Sequence, residues 1–523
     1  MKTLQRSIVL GCGLVILAGC GADDIASPGT GGDVIINPPG TPPPPPPPPP
    51  PPATVSPAAG CPTINDPQGL DDRGTISGPT GEYRVCALPS RLNSSSTLPY
   101  VEGLLYQLDG RVDVGADGGP AADASDGASD TGVVLTVQPG AMFFATGSSF
   151  LMVNRGNRIN AVGTADMPII FTSRDNVLGL NNANSSGQWG GVVLAGRAPL
   201  TDCTAPGATP GSVNCERQVE GAAQPAIFGG ATPTDDSGTM RYVQIRYSGF
   251  VLSGDNELQS LTTGGTGTGT ELSHIMSYNS SDDGVEFFGG FVNMKNLIVV
   301  GSEDDALDTD TGVKANMQYV IAISRANAGD TIIEADSSNA AIDDTPRQNT
   351  RISNATFVYN GATQDQAIRI RGGADYAIVN SVLVDATNAT PCLRIDDTET
   401  VRPANAGLDD VGPPVFNSFV LDCPTAFRNG GDVTAAQTQA VFDGGSNTNA
   451  NFTSTLSMTF VNGTNENAVP AFDPTALSSF FDAVDYIGAV RNETDTWYAG
   501  WTCNSATATF DSSAGDCTSL PIY

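Results

Sequence analysis

A gapless internal repeat is the feature that most constrains the fold of this chain. The segment starting at Leu272 aligns with the segment starting at Met294, and this one with the segment starting at Asn316, each time after 22 residues. The matched positions are Asp282 with Asp304, Asp283 with Asp305 and Asn327, Glu286 with Asp308 and Asp330, Ile275 with Leu297 and Tyr319, and Met276 with Ile298 and Val320. Such a one-coil period predicts a solenoid whose strands pair with the next coil, about 4.8 Å away.

Short β-branched and aromatic segments, separated by Gly, Asn and Asp, predict strands from about Val133 onward. Clear examples are residues 133–137, 150–153, 169–172 and 191–194. Leucine-rich repeats have a similar period, but their regular Leu positions do not occur in these coils. The predicted fold class is therefore all-β, a parallel β-helix.

One polar residue precedes the strand of each predicted coil. The set is His274, Asn296, Gln318, Asn354 and Asn380, and a looser repeat of 26 residues relates Ile352 to Ile378. Stacked polar side chains at one position predict an internal ladder of hydrogen bonds.

Composition excludes several classes of function. The chain has 56 Asp and Glu against 24 Lys and Arg, a formal net charge of −32, and a single His. A field of this sign repels phosphate and excludes most nucleic-acid binding. One His and no Cys-x-x-Cys spacing disfavour a zinc or haem enzyme, and a Ser-His-Asp triad would have to use His274.

The N-terminus has the pattern of an export signal and a lipidation site. Lys2 and Arg6 precede an apolar segment at residues 8–17 that is too short to span a bilayer in the mature protein. Residues 17–20, Leu-Ala-Gly-Cys, resemble the bacterial lipoprotein box, in which the signal is cleaved before the Cys and the Cys receives lipid. The resemblance implies a signal peptide at residues 1–19, a lipidated Cys20, and a lipid-anchored protein at the periplasmic or surface-exposed face of the bacterial outer membrane.

Residues 20–60 are expected to form a tether. They include eleven consecutive prolines, Pro42 to Pro52, which predict a polyproline II rod of about 34 Å. The rod would hold the folded part away from the membrane.

The eight cysteines beyond Cys20 lie in pairs of sequence neighbours. An even number in an exported chain indicates disulfides, although spacing alone does not determine connectivity. The predicted pairs are Cys61–Cys86, Cys203–Cys215, Cys392–Cys423 and Cys503–Cys517.

Several short motifs carry a family resemblance. They are VNRG at 153–156, AVGT at 161–164, PIIFTSR at 168–174, QWGG at 188–191, DYIGAV at 485–490 and GWT at 500–502. The chain thereby resembles right-handed parallel β-helices of the pectin-lyase-like type, and more narrowly a family of β-helix lipoproteins of marine and freshwater Gram-negative bacteria. The resemblance spans about residues 95–502 and implies fold and location, without an activity.

The predicted domain layout follows from the solenoid, because its two ends must be covered. Residues 61–130 are expected to form an N-terminal cap and residues 131–450 the right-handed β-helix. Residues 451–523, with their clustered aromatic side chains, are expected to form C-terminal strands and an aromatic cap.

Acidic side chains recur on one predicted edge of the coils. Stacked carboxylates repel one another unless a cation intervenes, and hard oxygen ligands suit calcium. The alternative is that these acids serve solvated turns. The predicted metal ligands are Asp282, Asp283, Glu286, Asp304, Asp305, Asp308 and Asp330.

Two functions remain open at this stage. The favoured one is a non-enzymatic surface lipoprotein that binds polysaccharide or a cell-surface protein, with an adhesion or envelope role and calcium as the ion. The alternative is a cell-surface polysaccharide lyase or glycoside hydrolase that uses the acids with Arg325, Arg369 or Arg371. The Gly-His-Gly and Asn-Thr-Asp elements of polygalacturonase-like hydrolases do not occur.

Overall fold

The computed structural model describes residues 54–523, except residues 124, 125, 129, 221, 223, 224, 254, 255, 327, 339, 340, 362 and 363. The predicted signal peptide, Cys20 and the polyproline segment lie outside the described residues. In the described part of the chain, no helix has the length and apolar character needed to cross a membrane.

Strands dominate the described residues, and helices are few and short. The strands are β1 (Asp71–Gly78), β2 (Gly81–Ala87), β3 (Arg91–Leu92), β4 (Ser96–Leu98), β5 (Leu104–Gln107), β6 (Arg111–Val114), β7 (Val134–Val137), β8 (Met142–Ala145), β9 (Phe150–Val153), β10 (Arg158–Val162), β11 (Ile169–Ser173), β12 (Gly191–Ala195), β13 (Arg217–Gln218), β14 (Ile227–Phe228), β15 (Gly238–Arg246), β16 (Val251–Ser253), β17 (Asn256–Glu257), β18 (Leu261–Gly264), β19 (Glu271–Tyr278), β20 (Val285–Phe288), β21 (Phe291–Val300), β22 (Leu307–Asp310), β23 (Lys314–Ile323), β24 (Ile333–Ala335), β25 (Asn349–Tyr359), β26 (Ile368–Ile370), β27 (Asp375–Asp385), β28 (Leu393–Ile395), β29 (Val415–Asp422) and β30 (Phe427–Arg428). The α-helices are α1 (Arg174–Val177) and α2 (Ala435–Asp443), and short 3-10 turns occur at Thr398–Thr400, Ala406–Leu408, Glu466–Ala468 and Pro474–Ala476.

Two large sheets carry the fold. The first has fifteen strands, in the order β1-β2-β5-β8-β11-β15-β19-β21-β23-β25-β27-β29 with β4, β7 and β10 joined at its side through β15. The second has eleven strands, in the order β3-β6-β9-β12-β18-β20-β22-β24-β26-β28-β30. Apart from the β1–β2 hairpin, the pairing within both sheets is parallel. The chain is therefore an all-β parallel β-helix, as predicted.

Each long strand of the first sheet is bent in its middle. The first half of β15 pairs with β10 and its second half with β11, so the two halves form two sides of the coil and the second sheet forms the third. The residues at the bend have left-handed backbone conformation, with φ between +49° and +63°. This bend column is Tyr242, His274, Asn296, Tyr319, Asn354, Asn380 and Ser418.

Apolar side chains stack inside the coils and form one continuous core. On the second sheet, each inward position lies over the equivalent position of the next coil, so one column is aliphatic except for its terminal aromatic ring. That column is Leu151, Val192, Leu261, Val285, Leu307, Ile333, Ile368, Leu393 and Phe427. Burial of this surface at about 25 cal/mol per Å² supplies the main stabilisation.

The predicted 22-residue register holds for the first two coils and then shifts. Leu272 pairs with Met294 as expected, but Met294 pairs with Met317 rather than Asn316. The turn before β23 has one residue more than the turn before β21, and this extra residue produces the shift. Ile275 therefore pairs with Leu297 as predicted, but Leu297 pairs with Val320 instead of Tyr319. The looser repeat is confirmed, because Ile352 pairs with Ile378.

The N-terminal end differs from the predicted layout. Parallel pairing already begins at β2 with β5 and at β3 with β6, so the coils start inside the segment expected to be a cap. The hairpin partner β1 closes the edge of the first sheet. Residues 55–58, expected to belong to the tether, pack on this end, where Val55 N–H donates to the Thr80 carbonyl at 2.9 Å.

The C-terminal end also differs. Helix α2 covers the last coils, and its Phe442 ring lies 5.4 Å from Phe427 and 5.5 Å from Phe416. Residues 453–523, called here the C-terminal strap, lie along the bend column rather than over the end of the stack. Asn380 Nδ2 donates to the Phe472 carbonyl at 2.8 Å, and Gln244 Nε2 to the Trp501 carbonyl at 2.5 Å.

The predicted disulfides all form: Cys61–Cys86, Cys203–Cys215, Cys392–Cys423 and Cys503–Cys517. Each bridge closes a loop between sequence neighbours, which lowers the entropy of the unfolded chain. The last bridge lies within the C-terminal strap.

Candidate functional site

The turns that lead from the first sheet into the second bring the predicted acidic side chains together. They form three overlapping groups, in each of which carboxylate oxygens lie within 4.8 Å of one another. The groups are Asp282, Asp283 and Asp304; Asp283, Glu286 and Asp308; and Asp304, Asp305 and Asp330. These seven residues are called the acidic cleft below. A cavity of about 270 Å³ is lined by five of them, Asp282, Asp283, Glu286, Asp304 and Asp308.

Two of the acids have a structural role as well. Asp283 Oδ1 accepts a hydrogen bond from the backbone N–H of Asp305 at 2.9 Å, and Asp305 Oδ1 accepts from Thr331 N–H at 2.7 Å. Thr331 Oγ1 also donates to Asp305, at 2.6 Å. Each carboxylate thus satisfies a turn amide of the next coil, although both side chains are buried rather than solvated.

Glu286 is in a different situation. It lies on β20, directly beside Asp308 of β22 in the register of the second sheet. Its side chain is 5% exposed, and its Oε2 atom is buried without a hydrogen-bond partner. A buried carboxylate oxygen without a donor costs free energy, and a cation would remove that cost.

Burial, and then mutual repulsion, raise the pKa of the acids in the cleft. Burial, followed by repulsion from neighbouring carboxylates, raises the pKa well above the ordinary value at Asp283, Glu286, Asp305 and Asp308. Desolvation in the cleft, with repulsion from Asp330 and Glu334, raises the pKa of Asp304 to about 6. A divalent cation would favour the ionised form of every one of these groups, because an opposite charge at short range stabilises a carboxylate.

The stacking differs in detail from the predicted alignment. Asp308 lies beside Glu334, not Asp330, because the turn between β23 and β24 is longer than the turn between β21 and β22. Asp330 lies beside Asp304, whose carbonyl accepts its N–H at 3.0 Å.

Three further residues of the site were not predicted. Glu220 and Gln259 line the cavity, and Glu334 lies beside Asp308. Gln259 Nε2 donates to Asp282 Oδ2 at 3.1 Å. Glu334 follows the repeat once the longer turn is allowed for, whereas Glu220 comes from a segment outside it and leaves no signal in the sequence.

The three arginines considered for a lyase are held in ion pairs. Arg325 pairs with Glu303, and Arg369 Nη2 lies 2.8 Å from Asp396. Arg371 Nε lies 2.8 Å from Glu334. Their charges are therefore already compensated by the chain's own acids.

The predicted internal polar ladder is outside the core. Its members occupy the bend column under the C-terminal strap, with Tyr319 in the place expected for Gln318. His274 packs between Tyr242 and Trp501, with ring centroids 4.3 and 5.6 Å away. Burial, with the nearby charge of Arg241, lowers the pKa of His274 to about 4.

Comparison with known families agrees with the fold. The family described as a pectate-lyase-like β-helix domain matches residues 126–502, more than half of the chain, so the chain belongs to this family. Searches of curated proteins and of solved structures find no match.

Proposed function

We propose that the acidic cleft binds divalent cations, and calcium in particular. Calcium takes about six to eight oxygen ligands in flexible geometry. The cleft offers carboxylate oxygens from three consecutive coils. The observation that carries the proposal is Glu286, a buried carboxylate whose Oε2 has no partner within a cluster of further acids.

The bound ion defines the proposed role of the whole protein. Calcium held at an open cleft retains coordination positions for an external carboxylate, so it can bridge this acidic chain to an acidic polysaccharide or to a surface protein. We further propose that the protein does this as a non-enzymatic lipoprotein, anchored through Cys20 at the outer membrane. The ion pairs of Arg325, Arg369 and Arg371 support binding over lyase chemistry.

Calorimetry tests the cation site directly. Calcium titrated into the metal-free protein is expected to release or absorb heat and to raise the melting temperature. Glu286→Gln and Asp308→Asn are expected to weaken binding at least tenfold, because each removes a ligand charge. Glu102→Gln, at an exposed acid far along the chain, is the matched control. No heat and no stabilisation at millimolar calcium would exclude the site.

A glycan panel tests the binding role. Acidic polysaccharides are expected to be retained more strongly with calcium than with chelator, while neutral ones are not retained. The same mixtures are assayed for unsaturated or reducing ends. Turnover that Asp304→Ala abolishes without lowering the melting temperature would replace the binding role with an enzymatic one.

A further inference from the structure

A second groove lies on another side of the coils. It runs across the first halves of β21, β23 and β25, whereas the acidic cleft borders the second sheet. The groove has a volume of about 400 Å³, and the loop between β28 and β29 contributes Asp409 and Val411 to its wall. Six of the residues that line it define what is called the Arg351 groove below: Phe291, Asn293, Lys314, Asn316, Asn349 and Arg351.

Arg351 is unusual among the basic side chains. In a chain with more than twice as many acids as bases, most arginines lie within 4 Å of a carboxylate. Arg351 forms no such ion pair with any carboxylate of the described residues, although it is half-buried. Burial lowers the pKa of its guanidinium, and Asp375 opposes this shift only partly. Arginine stays charged in proteins, so the groove holds a partly desolvated cation without a close counterion.

The neighbouring groups are hydrogen-bonding amides. Asn316 Nδ2 donates to Asn293 Oδ1 at 2.8 Å, while Asn316 Oδ1 is buried and lacks a donor. Lys314 Nζ lies 2.6 Å from Asp409, so this pair is electrically neutral as a unit. Asn293 and Asn316 occupy equivalent positions on adjacent strands, about 4.8 Å apart.

We propose that the Arg351 groove binds an acidic saccharide directly, without a metal ion. The guanidinium would hold a carboxylate or sulfate through two parallel hydrogen bonds. Sugar hydroxyls would bond to the amide side chains of the groove, and the half-buried Phe291 ring would offer an apolar surface to the sugar ring. Amides that recur from coil to coil suit the recurring hydroxyls of a saccharide better than the side chains of a peptide.

Titration calorimetry in the presence of EDTA separates this groove from the acidic cleft. The probes are trigalacturonate, a sulfated disaccharide, neutral maltotriose and a glutamate-rich peptide, each added to the full chain. At least one of the two anionic sugars is expected to bind, with affinity that falls as salt rises. Which of the two binds identifies carboxylate or sulfate as the recognised group.

Variants locate the binding. Arg351→Gln and Asn316→Asp are expected to weaken it at least tenfold, and Asn316→Asp keeps the test valid if the arginine variant does not fold. Arg174→Gln removes an exposed arginine that forms no ion pair with a described carboxylate, and it should bind as the wild type does. Glu286→Gln should also be unchanged, so the two sites can fail separately. The proposal is overturned if neither anionic sugar binds, if only the peptide binds, or if Arg351→Gln retains wild-type affinity.

Discussion

Buried carboxylates in this protein fall into two kinds, according to what their oxygens contact. Asp305 and Glu466 accept hydrogen bonds from neighbouring turns, whereas Glu286 Oε2 accepts none. Glu466 accepts four hydrogen bonds: Thr455 N–H and Oγ1 each donate at 2.7 Å, Ser454 Oγ at 2.9 Å and Gly463 N–H at 3.0 Å. A satisfied buried acid stabilises the fold, and an unsatisfied one needs a compensating group, such as a proton or a bound ion.

Glu466→Gln is expected to destabilise the C-terminal strap by about 1–3 kcal/mol, because the amide cannot accept from all four donors. Burial alone would raise the pKa of Glu466, but the hydrogen bonds from Thr455 and Ser454 outweigh it and lower that pKa. The stabilisation is therefore present at neutral pH and is lost as the pH falls through the lowered pKa. Hydrogen exchange of strap amides measures the effect, and Glu493→Gln, at an exposed acid of the same strap, should leave it unchanged.

At the scale of elements, the C-terminal strap depends on the bend column. Left-handed backbone at this column directs amide side chains outward, where Asn354 Nδ2 meets the Tyr486 carbonyl at 3.0 Å. Asparagine tolerates this conformation better than most residues, which explains its recurrence there. Trp501 is fully buried where the strap crosses Tyr242 and His274.

Trp501→Ala is expected to cost about 3–5 kcal/mol and to release the strap while the coils persist. His274 then gains water, so its pKa should rise from about 4 toward the ordinary 6.5. Because the chain has one His, a single imidazole signal in NMR reports this change. Met458→Ala, at an exposed strap position, is the control. An unchanged His274 pKa in the tryptophan variant would show that the strap stays in place.

The same elements show how far the sequence could predict the structure. The strand positions and the stacking of Asp283 on Asp305 could be predicted from the sequence. Both follow from the repeat that relates one coil to the next, because neighbouring coils pair through their backbones. Turn length varies from coil to coil, so Glu334 occupies the position beside Asp308 that was expected for Asp330, and Asp330 lies beside Asp304 instead. The strap path could not be predicted, because it depends on contacts between residues as distant as Gln244 and Trp501.

Across the whole molecule, one outward column of the second sheet changes sign along the stack. Its acidic part is Glu286, Asp308 and Glu334, and its basic part is Arg369, Arg394 and Arg428. The arginines are compensated by Glu334, Asp365 and Asp396. The column itself brings no cation beside Glu286, so this end of the column is neutralised either by protonation or by a cation from outside the column. A net charge of −32 makes a divalent ion from solution the natural source.

This excess of buried acids predicts that the free energy of unfolding decreases as the pH rises, when no divalent cation is present. Without divalent cations, folded Asp283, Glu286, Asp305 and Asp308 hold protons to higher pH than the unfolded chain does. Stability is then complete below the unfolded pKa values of about 4 and falls as the pH rises through the raised folded values, that of Asp304 being about 6. The melting temperature in EDTA should therefore be lower at pH 8 than at pH 5.

Calcium should abolish that decrease, because the ion stabilises the ionised carboxylates that otherwise repel. Scanning calorimetry at both pH values, with EDTA or with millimolar calcium, measures the difference. A Glu286→Gln/Asp308→Asn double variant should show a smaller decrease in EDTA and little response to calcium. General repulsion among surface charges gives the same direction, but it weakens strongly in 0.5 M NaCl, whereas the buried cluster is poorly screened. Identical pH profiles with and without calcium would mean that the cleft holds its protons instead of a metal ion.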